Sequence, residues 1–246
     1  MPVQIPAASR AMAVFEVFAR ERRDLSNSEI AKLLAVADSS CSDLLHTLHS
    51  LGYLMRTTRT RRFYPTGRLF ETARQIAEHD PLTQVAQQAV RRLSQATSES
   101  AFFGVLEPQA VRVAAVAQSP LPLRYILDVG ERVALHASAL GKAMLGLLSD
   151  GEARTRLQAA KRPAVTASTV VDLDQLMAQL VRGREQGWFE AHDEGTEGVT
   201  ALAIAARLGD RPVAISVAGP TERIEKHHES YLAALREVRR SLLADH

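Results

Sequence analysis

Apolar residues in the first third of the chain recur at helical spacing. Met12, Val14, Phe15, Val17 and Phe18 mix steps of three and four, which predicts a helix with one broad apolar face. A second helix is predicted from Ser26, whose hydroxyl can cap the first turn while Glu29, three residues on, reaches back to it. Ile30, Leu33 and Leu34 then face inward. After a break at Ala35–Asp38 a third helix runs from Ser39 to about Leu51 and is closed by Gly52. Cys41, Leu44, Leu45, Leu48 and Leu51 make its apolar stripe, and Ser39, Asp43, His46 and Ser50, flanked by Ser42 and Thr47, make its polar face. Tyr53-Leu54-Met55 reads as a strand, and Arg56 to Arg62 crosses a turn into a second strand at Phe63-Tyr64.

Further along, Arg68 to His79 forms a predicted helix with Leu69, Ala73 and Ile76 on one face, and Asp80-Pro81 breaks it. Leu82 to Ala96 is helical. The period then changes. Ala101–Leu106 and Val111–Ala117 alternate as antiparallel strands around Glu107-Pro108-Gln109, and Val199–Ala205 and Val213–Ala218 pair across Gly209-Asp210. Helices are predicted over Ser138–Leu148, Leu173–Gln186 and about Glu229–Ala244. Helices interleaved with one antiparallel sheet predict an α+β fold. The expected domains are a winged helix-turn-helix at 1–66, a linker helix at 67–80 and a larger domain at 81–246.

Composition narrows the function only slightly. With 46% apolar and 24% charged residues the chain is an ordinary globular protein, and its formal charge is +2. Residues 1–80 hold eleven basic and nine acidic side chains, while the remainder is balanced, so the small positive excess sits at the N-terminal end. Cys41 is the only cysteine, which excludes an internal disulfide and fits a reducing compartment. The first residues lack the pattern of a secretion signal, and no apolar run approaches the roughly 18–20 residues of a spanning helix. A cytoplasmic protein without membrane association is expected.

The chemistry concentrates in the third helix and the hairpin after it. Ser39, Ser40, Ser42, Asp43 and His46 are short polar side chains suited to base edges and phosphates when a helix lies in the major groove. Arg56, Arg59, Arg61 and Arg62 surround the hairpin tip, as a phosphate-gripping wing requires. The order of three helices and a basic hairpin makes double-stranded DNA the expected partner.

Several runs then resemble the IclR-type regulators: Ser9-Arg10-Ala11-Met12-Ala13-Val14-Phe15, Ser28-Glu29-Ile30-Ala31, Leu44-Leu45-His46-Thr47-Leu48, Gly52-Tyr53-Leu54 and Tyr64-Pro65-Thr66-Gly67. The similarity continues through Ser119-Pro120-Leu121-Pro122-Leu123-Arg124, Leu135 to Leu145, Gly187-Trp188, Asp193-Glu194, Gly198-Val199 and Ile215 to Pro220. It implies a GAF-like effector domain, a homodimer or homotetramer, and repression or activation governed by a small metabolite, often a carboxylic acid. Asp43 departs from the arginine usual in that family, so it accepts from a cytosine amino group or orients a neighbouring arginine. Family pocket positions fall on Ala139, Leu140, Ala191, Ala201 and Ser216. Ala191 replaces a common acid and Ala201 a common cysteine, which makes the floor smaller and less polar.

Ser138 is a good N-cap, and the helix it opens can hold an anion on free N–H groups, with Arg124 and His136 as helpers. Tyr125 and Trp188 are candidate aromatic walls. The expected ligand is a small organic acid, plausibly aromatic, in a regulator of a catabolic operon with a near-palindromic operator. An enzyme built on Ser138, His136, Asp193 and Glu194 is the rival reading, without a nucleophile-elbow pattern to support it. A DNA-independent protein-interaction module is the other. His46 and His49, or His227 and His228, lack further ligands of matching spacing, so no metal, cofactor or catalytic residue is expected.

Overall fold

A computed structural model describes residues 5–78 and 81–244. The chain forms two compact units, 1–79 and 80–246.

The first unit holds α1 (Pro6–Glu21), α2 (Asn27–Leu34), α3 (Asp38–Ser50), a hairpin of β1 (Leu54–Arg56) and β2 (Phe63–Pro65), and α4 (Arg68–Glu78). Pro6 starts α1, where its missing N–H would have been unpaired anyway. The Ser26 hydroxyl accepts from Glu29 N, and the Glu29 carboxylate accepts from Ser26 N at 2.8 Å, completing the expected capping box of α2. Residues 35–37 join α2 to α3, and Ala35 caps the end of α2 in a left-handed conformation (φ 52°), its N–H bonded to the Lys32 carbonyl at 3.3 Å and the Val36 N–H to the Ala31 carbonyl at 3.0 Å. Val14, Val17 and Phe18 of α1, Ile30 and Ala31 of α2, and Cys41, Leu45 and Leu48 of α3 share one core with Leu25, Leu54 and Phe63. Leu33 and Leu51, expected inside, are 39% and 51% exposed. On α2 the inward positions are 30, 31 and 34, and Leu51 lies beyond the last turn of α3.

The second unit contains α5 (Pro81–Thr97), β3 (Ser100–Leu106), β4 (Ala110–Ala117), β5 (Arg132–Ala134), α6 (Ala139–Gly146), α7 (Asp150–Ala159), α8 (Leu173–Gln186), β6 (Phe189–His192), β7 (Val199–Leu208), β8 (Arg211–Pro220), α9 (Thr221–Lys226) and α10 (His228–Ala244). All pairings are antiparallel, in the order β5-β4-β3-β8-β7-β6. The expected break at Asp80 falls outside the described residues.

Period-two alternation divides the sheet into unlike faces. Phe103, Leu202, Ile204, Val213, Ile215 and Val217 pack on α5 and α10. The opposite face of β7 and β8 is built almost wholly of small side chains: Ala201, Ala203, Ala205, Ala214, Ser216 and Ala218. Small residues let a helix approach closely, and α6 lies there with residues 139–145 all buried. Gly141 is required by that approach, because a Cβ would stand 2.5 Å from the carbonyl oxygens of Ala134 and Leu135. At the end of the sheet, the Phe189 ring fills the space that side chains on Gly146 and Gly183 would occupy.

Candidate DNA-recognition and effector sites

The exposed face of α3 carries all five of its candidate recognition residues. Ser39, Ser40, Ser42, Asp43 and His46 are each exposed. Asn27 of α2 donates to the Asp38 carbonyl at 3.1 Å, holding the start of α3 against the preceding helix. Thr47 and Ser50 hydroxyls turn back to the carbonyls of Asp43 and Thr47, at 2.8 and 2.9 Å, so they compete poorly for an outside partner.

The four wing arginines divide into three roles. Arg59 and Arg61 are exposed at the tip, where Arg61 adopts φ 55° and its N–H closes a turn onto the Thr57 carbonyl. Arg56 lies over the Phe63 ring, 5.2 Å from its centroid, and donates to the Arg61 carbonyl at 3.3 Å. Arg62 does not stand with them. Its Nε donates to Asp24 Oδ1 at 3.1 Å and its Nη2 to Glu29 Oε2 at 2.6 Å, with the side chain 29% exposed. Expected as a phosphate contact, Arg62 instead ties the hairpin to the N-terminus of α2. Glu29 thus serves the cap and this anchor together. The Ser26 backbone N–H, followed by the Arg23 guanidinium, holds its carboxyl at about 2, well below the usual range.

In the second unit a cavity of about 50 Å³ opens at the start of α6. Tyr125, Ser138, Ala139, Leu140, Ala191, Ala201 and Ser216 of the expected set all line it. Phe102, Leu127, Val133 and Ala218 add apolar wall, and Gly195 and Thr196 close it from the loop after β6. The Ser138 hydroxyl accepts from Gly141 N at 3.0 Å and donates to the Ala134 carbonyl at 2.6 Å. Gly141 N is thereby capped, and the N–H groups of Ala139 and Leu140, in the first turn, are those an α-helix cannot pair internally. Together with the dipole they favour a carboxylate. No carboxylate or basic side chain lines this cavity. By the roughly 10–15 Å³ that one water requires, it has room for a few waters.

One wall of the cavity is made by the segment before β5, through Tyr125 and Leu127. Ser100 Oγ donates to the Tyr125 carbonyl at 2.6 Å, and the Tyr125 ring meets Phe102 edge-on at 5.9 Å. Arg223 pairs with the fully buried Glu99 at 2.6 Å and donates to the Leu123 carbonyl at 2.7 Å, holding the same segment.

Three expected pocket residues lie elsewhere. Arg124 is exposed and donates to the Leu121 carbonyl at 3.2 Å. His136 is buried with Nε2 3.1 Å from the Pro163 carbonyl, so that nitrogen carries the proton, and burial pushes its pKa down toward the neutral ring. Trp188 packs on the α5–α10 side of the sheet, edge-on to His228 at 4.9 Å. Each member of the rival hydrolytic set is engaged with another group. Ser138 caps a helix, His136 faces Pro163, Asp193 accepts from Thr221 at 2.6 Å, and Glu194 pairs with Lys142. Among the described residues no group of three His, Cys, Asp or Glu is placed to hold a metal, and no helix is long and apolar enough to cross a membrane.

Lys142 is a functional candidate that sequence reasoning passed over. It is 2% exposed in the middle of α6, bonded to Glu194 and, at 3.1 Å, to the Glu190 carbonyl. Burial pushes its pKa down, and the Glu194 carboxylate opposes that shift. Its signal was a lysine inside the otherwise apolar run 139–145.

Comparison with known proteins agrees with this arrangement. Residues 7–57 match the IclR helix-turn-helix domain, and residues 74–243 match the bacterial transcriptional regulator IclR C-terminal domain. The HTH-type transcriptional regulator KdgR of Dickeya chrysanthemi is 27% identical over 225 residues, 90% of this chain and 74% of that protein. The HTH-type transcriptional regulator BhcR of Paracoccus denitrificans is 29% identical over 222 residues, covering 89% and 79%. A crystal structure of an IclR homolog from Microbacterium hydrocarbonoxydans, complexed with 4-hydroxybenzoate, superposes with a TM-score of 0.67 at 23% identity, over 95% of this chain and 99% of that one. With a DNA-binding and an effector-domain model matched in order, the second over well above half its length, the chain belongs to the IclR family of bacterial transcriptional regulators.

Proposed function

We propose that this regulator binds a near-palindromic operator as a homodimer or homotetramer and controls a catabolic operon in response to a small organic acid with an aromatic or otherwise apolar body. One observation carries the choice of effector. The cavity at α6 offers helix N–H groups at one end and apolar wall elsewhere, with alanines at 191 and 201 where a densely hydroxylated acid would need partners. The related fold seen with 4-hydroxybenzoate supports the same ligand class. At about 50 Å³ the cavity admits a benzoate only if a wall moves, and the segment bearing Tyr125 and Leu127 is the wall with exposed neighbours, Leu123, Ile126 and Val129. Displacement of that wall is therefore the event that couples occupancy to the rest of the molecule.

DNA recognition rests on Ser39, Ser40, Ser42, Asp43 and His46 reading base edges while Arg59 and Arg61, steadied by Arg56, hold phosphate. The test uses a duplex selected by the protein from a random-sequence pool. Its fluorescence anisotropy is followed against protein, with and without millimolar 4-hydroxybenzoate, benzoate, glyoxylate or glucose. The aromatic acids are expected to shift the DNA affinity by at least fivefold, on the scale of ordinary coupling energies, and glyoxylate much less. An affinity that no aromatic acid moves refutes the effector reading, and selection of duplexes without two-fold symmetry refutes the operator reading.

A further inference from the structure

A second cavity, of about 280 Å³, is lined by residues of α8, the edge strand β6 and the Lys142–Glu194 pair and shares no lining residue with the acid cavity. Its hydrogen bonding is incomplete. Glu194 is 5% exposed; one carboxylate oxygen takes the Lys142 ammonium, and the other, Oε2, is buried without a partner. Gln179 Oε1, on α8, is a second buried acceptor without a partner, and both residues line this cavity. Lys142 has three protons and gives two of them, to Glu194 and to the Glu190 carbonyl. A buried ion pair left partly unsatisfied is costly unless something completes it.

The unsatisfied groups define what completes it. An anion suits Lys142 and Arg182, which both line the cavity with His192, but it offers no donor to Glu194 Oε2, the buried acceptor left over, and meets the Glu190 and Glu194 carboxylates. A cation suits Glu194 but sits against the Lys142 ammonium. A hydroxyl does both, donating to Oε2 while accepting the third lysine proton, and it brings no charge. A second hydroxyl on the same small molecule can reach Gln179. The size lies near the lower end of the roughly 300–1,000 Å³ typical of ligand pockets. We propose that this cavity is a binding site for a neutral polyhydroxylated molecule, a small polyol or monosaccharide, separate from the acid cavity.

Calorimetric titration of the full chain with glycerol, myo-inositol and D-glucose tests this, with D-gluconate and putrescine as charged comparisons. Polyols stabilise many proteins by exclusion at high concentration, so the criterion is saturable heat, not thermal stabilisation. At least one neutral compound is expected to bind with a Kd of about 1 mM or tighter and to be preferred to both charged ones. Glu194→Gln alters the central acceptor but also unpairs Lys142 and can unfold the unit. Gln179→Leu leaves the ion pair intact, and its folding is checked by an unchanged urea midpoint followed through Trp188. In Gln179→Leu the affinity should fall at least tenfold, as expected when a hydroxyl loses its partner. Absence of saturable binding by all three neutral compounds, binding unchanged in Gln179→Leu, or preference for gluconate or putrescine overturns the proposal, the first outcome leaving water as the occupant.

Discussion

Replacing Ser138 by alanine tests whether the start of α6 is an enclosed, capped terminus. The backbone at 138 (φ −132°, ψ 145°) is extended, so alanine adds no strain there. What disappears is the oxygen that accepts from Gly141 N at 3.0 Å and donates to the Ala134 carbonyl at 2.6 Å. Gly141 is buried, and an orphaned buried donor costs about 1–3 kcal/mol, a range that already includes the ~1 kcal/mol typical of a lost cap. The expected loss is about 2 kcal/mol, a substantial share of a stability of about 5–15 kcal/mol. With a urea slope of about 2 kcal/mol per molar, the midpoint should fall by about 1 M. Trp188 is the only tryptophan and lies in the effector unit, so its emission reports this unit alone. A midpoint lowered by less than about 0.2 M, under 0.4 kcal/mol on the same slope, would refute the reasoning. It would mean that water reaches the freed N–H groups, and the enclosed anion site would fall with the cap.

Arg59→Ala and Arg61→Ala should weaken binding to all duplexes in similar proportion and reduce the salt slope by about one for each lost phosphate contact, measured by anisotropy across a salt series. Asp43→Ala should instead change discrimination at one base position by roughly 1–3 kcal/mol, and a uniform loss on all sequences would make Asp43 a positioning residue. Ala201→Asp places a carboxylate in the floor of the acid cavity and should abolish the response to aromatic acids while leaving operator affinity intact; a retained response moves the effector elsewhere. For Glu29 the folded value of about 2 lies below the ordinary 4.5, so its stabilisation is complete above pH 4.5 and lost as pH falls toward 2. Helix content of the DNA-binding unit should therefore decline over that window, and Glu29→Gln should flatten the decline.

Much of this was legible because strong periodicity and capping chemistry coincide. Ser26 and Glu29 announce α2, the 41-45-48 stripe fixes which face of α3 is buried, and the alternation in β7 and β8 separates alanines from large aliphatics. Short elements without such signals were missed. β6 has four residues, two of them polar, and β5 has three. Missing β6 also misplaced Trp188, since alternation along 188–191 sets Phe189 and Ala191 on one face and Trp188 on the other. The capping box of α7, Ser149 with Glu152, was readable, but only Ala153 and Leu157 of that helix are buried, so no stripe accompanied it. Arg62 looked like its neighbours because nothing local distinguishes an arginine that reaches back 38 residues to Asp24 from one that faces solvent. Ala35 carries its left-handed turn without the glycine that would have marked it.

The anchoring of Arg62 has a consequence for the DNA itself. The hairpin is fastened to the N-terminus of α2, and α2 to the start of α3 through Asn27 and Asp38, so the tip and the exposed face of α3 are tied to one another through α2. A reader with a fixed span between its two contacts measures the helix it grips. If α3 reads base edges as proposed, the flanking base pairs matter through groove width and bendability, and A-tracts that narrow the flanking minor groove should be selected although no side chain touches their edges.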